Sequence, residues 1–104
     1  DKINWTILSK NPNAIHLLEQ NMDKIVWNLL SHNPNAIHIL EKNMDKINWN
    51  GFSSNPNAID FLSSPENKKY IDYSQLSKNT NSKALELIKE EIRIGLDIIK
   101  SLMK

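Results

Sequence analysis

The sequence predicts an all-α fold: a short α-solenoid of about four 22-residue, two-helix repeats, closed by a long C-terminal capping helix. Three observations carry this. Trp5, Trp27 and Trp49 are spaced by 22 residues, and Tyr73 takes the same place after a two-residue insertion. Asn11-Pro12-Asn13, Asn33-Pro34-Asn35 and Asn55-Pro56-Asn57 keep that period, and Asn79-Thr80-Asn81 follows. From Ser82 to Lys104 there is no proline and a single glycine, Gly95, while apolar residues recur every three or four positions. A fixed period in this range marks an array of small supersecondary units.

The 104 residues read as one repeat domain, with repeats at 1–22, 23–44, 45–69 and 70–91 and a capping helix over about 82–104. Each repeat reads as two short helices. Asp1, Asp23 and Asp45 are the expected N-caps of the first. In the second repeat Ile25, Leu29 and Leu30 fall at helical spacing with Trp27 on the same broad face, and Ser31-His32 closes the helix. Asn33 is the expected cap of the second helix, with Pro34 at its first position, where a missing N–H costs nothing. Ala36, Ile37 and Leu40 form its apolar stripe, and Asn43 is expected as a left-handed C-cap. Helices of about 7–9 residues fall below the ~12–15 an isolated helix needs in water, so they depend on packing against neighbouring units. Small Ala14, Ala36 and Ala58 allow close approach, and the tryptophans are expected to stack as a column.

The third repeat departs from the pattern after Leu62. Ser63 to Lys69 is polar, and a loop or extra turn is expected there, displacing the fourth repeat. The fourth carries Thr80 for proline and inserts Ser82-Lys83 before Ala84. Leu85, Ile88, Ile92, Leu96, Ile99 and Leu102 form the stripe expected of a cap, whereas Leu87, Ile94 and Ile98 sit on a second face. That surplus implies either a bend near Gly95 or contact with another chain.

Composition narrows function. The formal net charge is +1, charges are mixed along the length, and apolar residues make up 39%. The absence of cysteine removes disulfides and thiolate metal sites. No apolar run approaches the roughly 18 residues of a membrane span, and no secretory signal opens the chain. The expected setting is intracellular and cytoplasmic. The chain starts at Asp1 on a repeat boundary, as expected of a fragment of a longer array or a processed chain.

The pattern Ile-x-Trp-x-x-Leu-Ser-x-Asn-Pro-Asn-Ala-Ile-x-x-Leu-Glu-x-Asn resembles tandem repeats found in proteins of large double-stranded DNA viruses. Residues 3–21 and 25–43 match throughout, 47–62 well and 71–88 loosely. More distantly it is similar to leucine-rich-repeat-variant and HEAT-like α-solenoids. The viral resemblance implies host cytoplasm or the virion. The solenoid resemblance implies a scaffold or binding surface, and a first helix that is partly 3₁₀.

His16, His38 and Asp60 are equivalent positions in successive repeats and invite a metal reading. Solenoid layers about 8–10 Å apart cannot converge on an ion needing ligands at about 2.0–2.2 Å, and His32 lies elsewhere in the unit. The row reads as a solvated ladder or a partner contact. Trp27 and its equivalents read as core, except that the layer of Trp5 lacks a preceding unit. Asn-Pro-Asn reads as caps and turns. Glu90 and Glu91 point apart on a helix and make no acid–base pair. No catalytic triad or phosphate loop is present, so no cofactor, metal or enzymatic activity is expected.

Specificity is expected where repeats differ: Asn4/Val26/Asn48, Thr6/Asn28/Asn50, Lys10/His32/Ser54, His16/His38/Asp60 and Gln20/Lys42/Ser64. Candidate partner-binding residues are therefore His16, His38, Asp60, Asn28, Asn50 and His32, together with Trp5, Ile94 and Ile98 at the ends. The expected role is a non-enzymatic module with a protein partner. The alternatives are a nucleic-acid-binding repeat, which balanced charge disfavours, and an assembly element that self-associates through the C-terminal helix.

Overall fold

A computed structural model describes residues 2–104, and every structural statement concerns these. The chain is all-helical. Seven short α-helices, α1 (Trp5–Lys10), α2 (Ile15–Glu19), α3 (Trp27–Leu30), α4 (Ile37–Glu41), α5 (Trp49–Ser53), α6 (Ile59–Leu62) and α7 (Tyr73–Leu76), precede the long α8 (Lys83–Leu102). The 3₁₀ turns Met22–Lys24, Met44–Lys46 and Lys68–Tyr70 separate the units. The helix pairs stack into an elongated body with principal extents of 66 × 24 × 17 Å. At four to six residues, the paired helices are shorter than expected.

Their shortness has a local cause. Asp23 and Asp45 do not cap the tryptophan helices; they lie inside the 3₁₀ turns. Ile25 and Ile47 follow in extended conformation, which turns both side chains into the core. A continuous helix from the aspartate would point them elsewhere. Capping passes to the residue before the aromatic. Asn4 accepts from Ile7 N at 3.1 Å, Asn48 from Gly51 N at 3.4 Å, and Asp72 from Ser74 N and Gln75 N at 3.1 and 3.2 Å. Val26 has no side chain to do so. Asp1, the corresponding expectation in the first unit, lies outside the described residues.

Asn33-Pro34-Asn35 is a turn and not the first turn of α4, whose N-cap is Ala36. Asn33 Oδ1 accepts from Asn35 N at 3.1 Å, an Asx turn in which the fixed φ of Pro34 fits. Asn11, Asn55 and Asn79 close the same turn in their units. Asn43 is not left-handed: no non-glycine residue described has positive φ. Instead its amide donates to Ile39 O at 2.8 Å, and Asn21 and Asn67 act alike on Leu17 O and Phe61 O. A side chain that closes the helix directly needs no strained backbone.

Polar ladders join the units. Val26 N donates to Ser9 Oγ, Asn48 N to Ser31 Oγ and Asp72 N to Ser53 Oγ, each at 2.9 Å. Asn33 Nδ2 donates to Ser9 O and Asn11 O, both at 3.1 Å. Asn55 repeats this on Ser31 O and Asn33 O at 3.0 and 2.9 Å, and Asn79 on Ser53 O and Asn55 O at the same distances. The second asparagine of each turn adds a bond to the preceding unit: Asn35 to Pro12 O, Asn57 to Pro34 O and Asn81 to Pro56 O. Asn33 and Asn55 are 1% exposed, so these amides are fully desolvated and fully bonded. Beside the ladder runs an apolar seam of Leu18, Leu30, Leu40, Phe52, Leu62 and Leu76, spaced by the small alanines.

The expected displacement of the fourth unit does not occur. The extra residues are absorbed in a turn at Ser63–Asn67, after which Ile71 is buried and Asp72 bonds Ser53 as its counterparts do. The aromatic column is also revised. Lys46 lies over Trp27 at 5.8 Å, and the equivalent Tyr70 stacks on Trp49 at 4.4 Å. The residue between layers is thus supplied by the 3₁₀ turn, and the ring pairs gather at Trp49 with Phe52 and Phe61.

The capping helix is corrected most. It is continuous through Gly95, so it does not fold back. Its N-terminal half touches the body: Ala84 is buried, Leu87 and Ile88 pack on the core, and the Tyr73 hydroxyl donates to Glu91 at 3.4 Å. Leu85, Ile92, Leu96, Ile99 and Leu102, expected to face the body, are exposed. Ala84 is buried as Ala58 is, but Leu85, at the place of the buried Ile59, is exposed.

The ladder sets an expected order of stability effects. Asn33→Ala or Asn55→Ala strands two carbonyls and opens an Asx turn, and should cost about 2–4 kcal/mol. Asn11→Ala loses only its own turn and should cost about 1 kcal/mol. Urea unfolding at constant m measures the difference; equal costs would mean that the inter-unit bonds contribute nothing.

Candidate interaction surface

The structure places the sequence-predicted residues on separate faces. His16, His38 and Asp60 form an exposed row on α2, α4 and α6, but each has a different partner. His16 Nε2 lies 3.4 Å from Gln20 Nε2. His38 Nε2 lies 3.3 Å from Glu19 Oε2 of the unit before. Asp60 Oδ1 lies 3.8 Å from Lys83 Nζ at the start of α8. The row makes no continuous ladder: His16 bonds within its own unit, His38 reaches back to the unit before, and Asp60 reaches forward to α8. Among the described residues no three His, Cys, Asp or Glu side chains are grouped to hold a metal ion.

His38 also lines a shallow cleft of about 170 Å³ with Glu19, Met22, Ile39, Lys42 and Asn43. The cleft lies between the end of the first unit, at Glu19 and Met22, and the second helix of the next, at His38 to Asn43. Its floor is apolar at Met22 and Ile39, and its rim carries Glu19, His38 and Lys42. Sequence reasoning singled out His38 and Lys42 as variable positions but missed Met22. The repeated Asn-Met-Asp junction was the available signal.

Asn28 and Asn50 are exposed on α3 and α5. Asn50 Nδ2 donates to Asp72 Oδ2 at 2.8 Å, tying the third unit to the fourth. Asp72 also receives the Ser74 hydroxyl at 2.7 Å. The bond from the Ser74 side chain, then those from the Gln75 backbone and Asn50, hold its carboxyl below the ordinary range despite some desolvation. Burial, then the nearby Glu91 carboxylate, pushes the Tyr73 phenol up.

His32 is less free than its position suggests. Its Nδ1 lies 3.4 Å from Ser54 Oγ, and its ring covers Gly51 of the next unit. A Cβ built at Gly51 would lie 2.6 Å from His32 Nε2. The equivalent pairs are Lys10 over Leu29 and His32 over Gly51, so a ring above is matched by a missing side chain below.

Trp5 is half-buried with α1, beside the exposed Ile7. Ile94 and Ile98 are exposed on the distal half of α8. The structure brings neither end to the histidine row. Sequence reasoning missed Met103 and assigned Leu85, Ile92, Leu96 and Ile99 to the core-facing side. A helical projection anchored on Ala84 turns Leu85, Ile92 and Leu96 away from the core, whereas Ile99 is exposed through its distance along the helix from the body.

Fold and surface together define a helical-repeat protein whose units are locked by polar ladders. No family model, curated protein or solved structure matches the chain. Among the described residues no helix is long and apolar enough to cross a membrane.

Two outcomes test this surface. Gly51→Ala gains about 0.5–1 kcal/mol of helix propensity but displaces the His32 ring, so its net effect should be near zero. In a His32→Ala background the propensity gain should appear in full, and a double-mutant cycle reads the coupling; zero coupling would mean that His32 is not seated on Gly51. The second outcome concerns pH. A depressed folded-state pKa gives Asp72 a stabilising contribution that is complete above its unfolded value of about 3.9 and is lost as pH falls through its lower folded value. Asp72→Asn keeps the cap, as Asn48 does, but cannot titrate. The wild type's advantage over Asp72→Asn should be constant near neutrality and vanish in acid; parallel acid limbs would refute the assignment.

Proposed function

We propose that the solenoid is a non-enzymatic protein-interaction module, a rigid scaffold presenting rows of non-repeating side chains to a protein partner. One observation carries the reading: the recurring serines and first asparagines are consumed between units, while several of the positions that vary lie at the surface. Ser9, Ser31, Ser53, Asn33 and Asn55 are buried, whereas Thr6, Asn28, Asn50, His16, His38 and Asp60 are exposed. Exposed positions tolerate change at little cost to stability, so these rows are free to be shaped by a partner. The cleft beside His38, with an apolar floor and a rim of both charges, suits an apolar side chain flanked by polar backbone.

Near-balanced charge favours a protein over a nucleic acid, whose readers draw affinity from phosphate neutralisation. An intracellular setting, and the viral origin that the repeat's resemblance implies, belong to the same reading.

Panning a displayed peptide library against the chain should yield binders of about micromolar affinity. His38→Gln or Asn28→Glu should weaken them with thermal unfolding little changed. The proposal fails if binders ignore substitution in every row, or if the chain shows turnover that one named polar residue abolishes.

A further inference from the structure

We propose that α8 is a self-association element, pairing antiparallel with α8 of a second copy about a two-fold axis near Ile94 and Gly95. The inference rests on α8 alone and stands apart from whether the solenoid rows bind a partner.

Leu85, Ile92, Leu96, Ile99 and Met103 form one stripe along the helix at spacings of three, four and seven. The first four are between 51% and 57% exposed and Met103 is 81% exposed. At 3.6 residues per turn the stripe lies roughly a quarter-turn from Ala84, the residue that faces the core. All five are more than half exposed, so the body leaves the stripe open along its length. The far side of α8 is charged and internally paired, with Arg93 2.6 Å from Glu90 and 2.8 Å from Asp97, and Lys89, at the edge of the stripe, lies 3.8 Å from Glu86. Helices that lie on bilayers carry an excess of Lys and Arg on the polar face. Here both signs are balanced, which favours a protein occupant.

The stripe is complementary to itself under one operation. With the helices antiparallel, Leu85 meets Met103 of the second copy, Ile92 meets Leu96, and Ile99 meets the aliphatic stem of Lys89. A single two-fold axis makes every one of these contacts twice, as an isologous interface requires. Polar flanks agree, since Glu86 falls beside Lys100 of the second copy at both ends. On the other flank Ile88 approaches Leu102, and Gly95 approaches its own counterpart at the axis. Nothing lies within 4 Å of a Cβ built at Gly95, so the glycine serves no contact inside the chain. A parallel pair would set Lys89 against Lys89 within the seam. The body sits at the N-terminal end of α8, so antiparallel pairing carries the two bodies to opposite ends without collision.

Sedimentation equilibrium of the chain should show a mass rising from 12.0 kDa toward twice that value between about 1 µM and about 1 mM, as mass action requires. Leu96→Glu, at an exposed position, should weaken association at least about tenfold while its far-UV circular dichroism at low concentration stays unchanged. The chain has no cysteine, so mild oxidation of single-cysteine variants reads orientation. Leu85→Cys mixed with Met103→Cys should cross-link, whereas Leu85→Cys alone should not. A strict monomer throughout, a dimer indifferent to Leu96→Glu, or Leu85→Cys cross-linking with itself in place of Met103→Cys would each overturn the proposal.

Discussion

The fold depends on the chemistry of one side chain. A primary amide has an acceptor oxygen and two N–H donors, and Asn33 spends all three. Its oxygen closes its own turn, and its two hydrogens reach two carbonyls of the preceding turn. Asn55 and Asn79 repeat the arrangement one unit on. Aspartate would keep the acceptor but lose both donors and set a charge against carbonyls. Serine has one donor, and glutamine is a carbon too long for the turn. The turn that each asparagine builds displays the carbonyl that the next asparagine seeks. Local geometry and inter-unit register are thus fixed by the same atom set, and this is why the period does not drift.

The rest of the architecture follows from that lock. Helices of four to six residues have no stability of their own. Their carbonyl ends would be exposed in isolation, and the ladder satisfies several of them between units. Burial of Leu30, Phe52 and Leu76 then supplies the apolar component that desolvates the amides. Each contribution requires the other, since an unpaired buried amide is costly and an unsealed one gains little over water. The serine rung adds direction. Ser31 donates to Trp27 O and accepts from Asn48 N, so one hydroxyl ends a helix and seats the strand-like residue that opens the next unit.

Much of this was legible. The period, the all-helical class, the packing role of the tryptophans and the structural reading of Asn-Pro-Asn follow from residue spacing. What was hidden is the direction in which each asparagine spends its donors, because a repeat pattern records that a residue is needed without recording by whom. Asp23 and Asp45 were misread as caps because the extended Ile25 and Ile47 look helical by spacing alone. The Ser63–Asn67 insertion was expected to displace the fourth unit. It does not, because Asn67 restores the helix-closing bond before the register is used again. On the surface, His32 was legible as a variable position, but its partner Gly51 was visible only in the stacked structure.

The helix α8 shows where repeat logic ends. In the second and third units a short helix is held between two neighbours, so both its sides are consumed. The apolar arc of α8 runs from Leu87 and Ile94 through Ala84 and Gly95 to Leu96, more than half the helix circumference at 100° per residue, interrupted by Glu91, which bonds Tyr73. One flank of one solenoid can cover only the part around Ala84, Leu87 and Ile88. The charges on the opposite side are arranged in ion pairs within the helix, a pattern that supports a helix standing free of its body. A terminal cap that only sealed the last layer would turn polar beyond that contact. This one stays apolar for three further turns, so its exposed apolar surface runs well beyond the layer it closes.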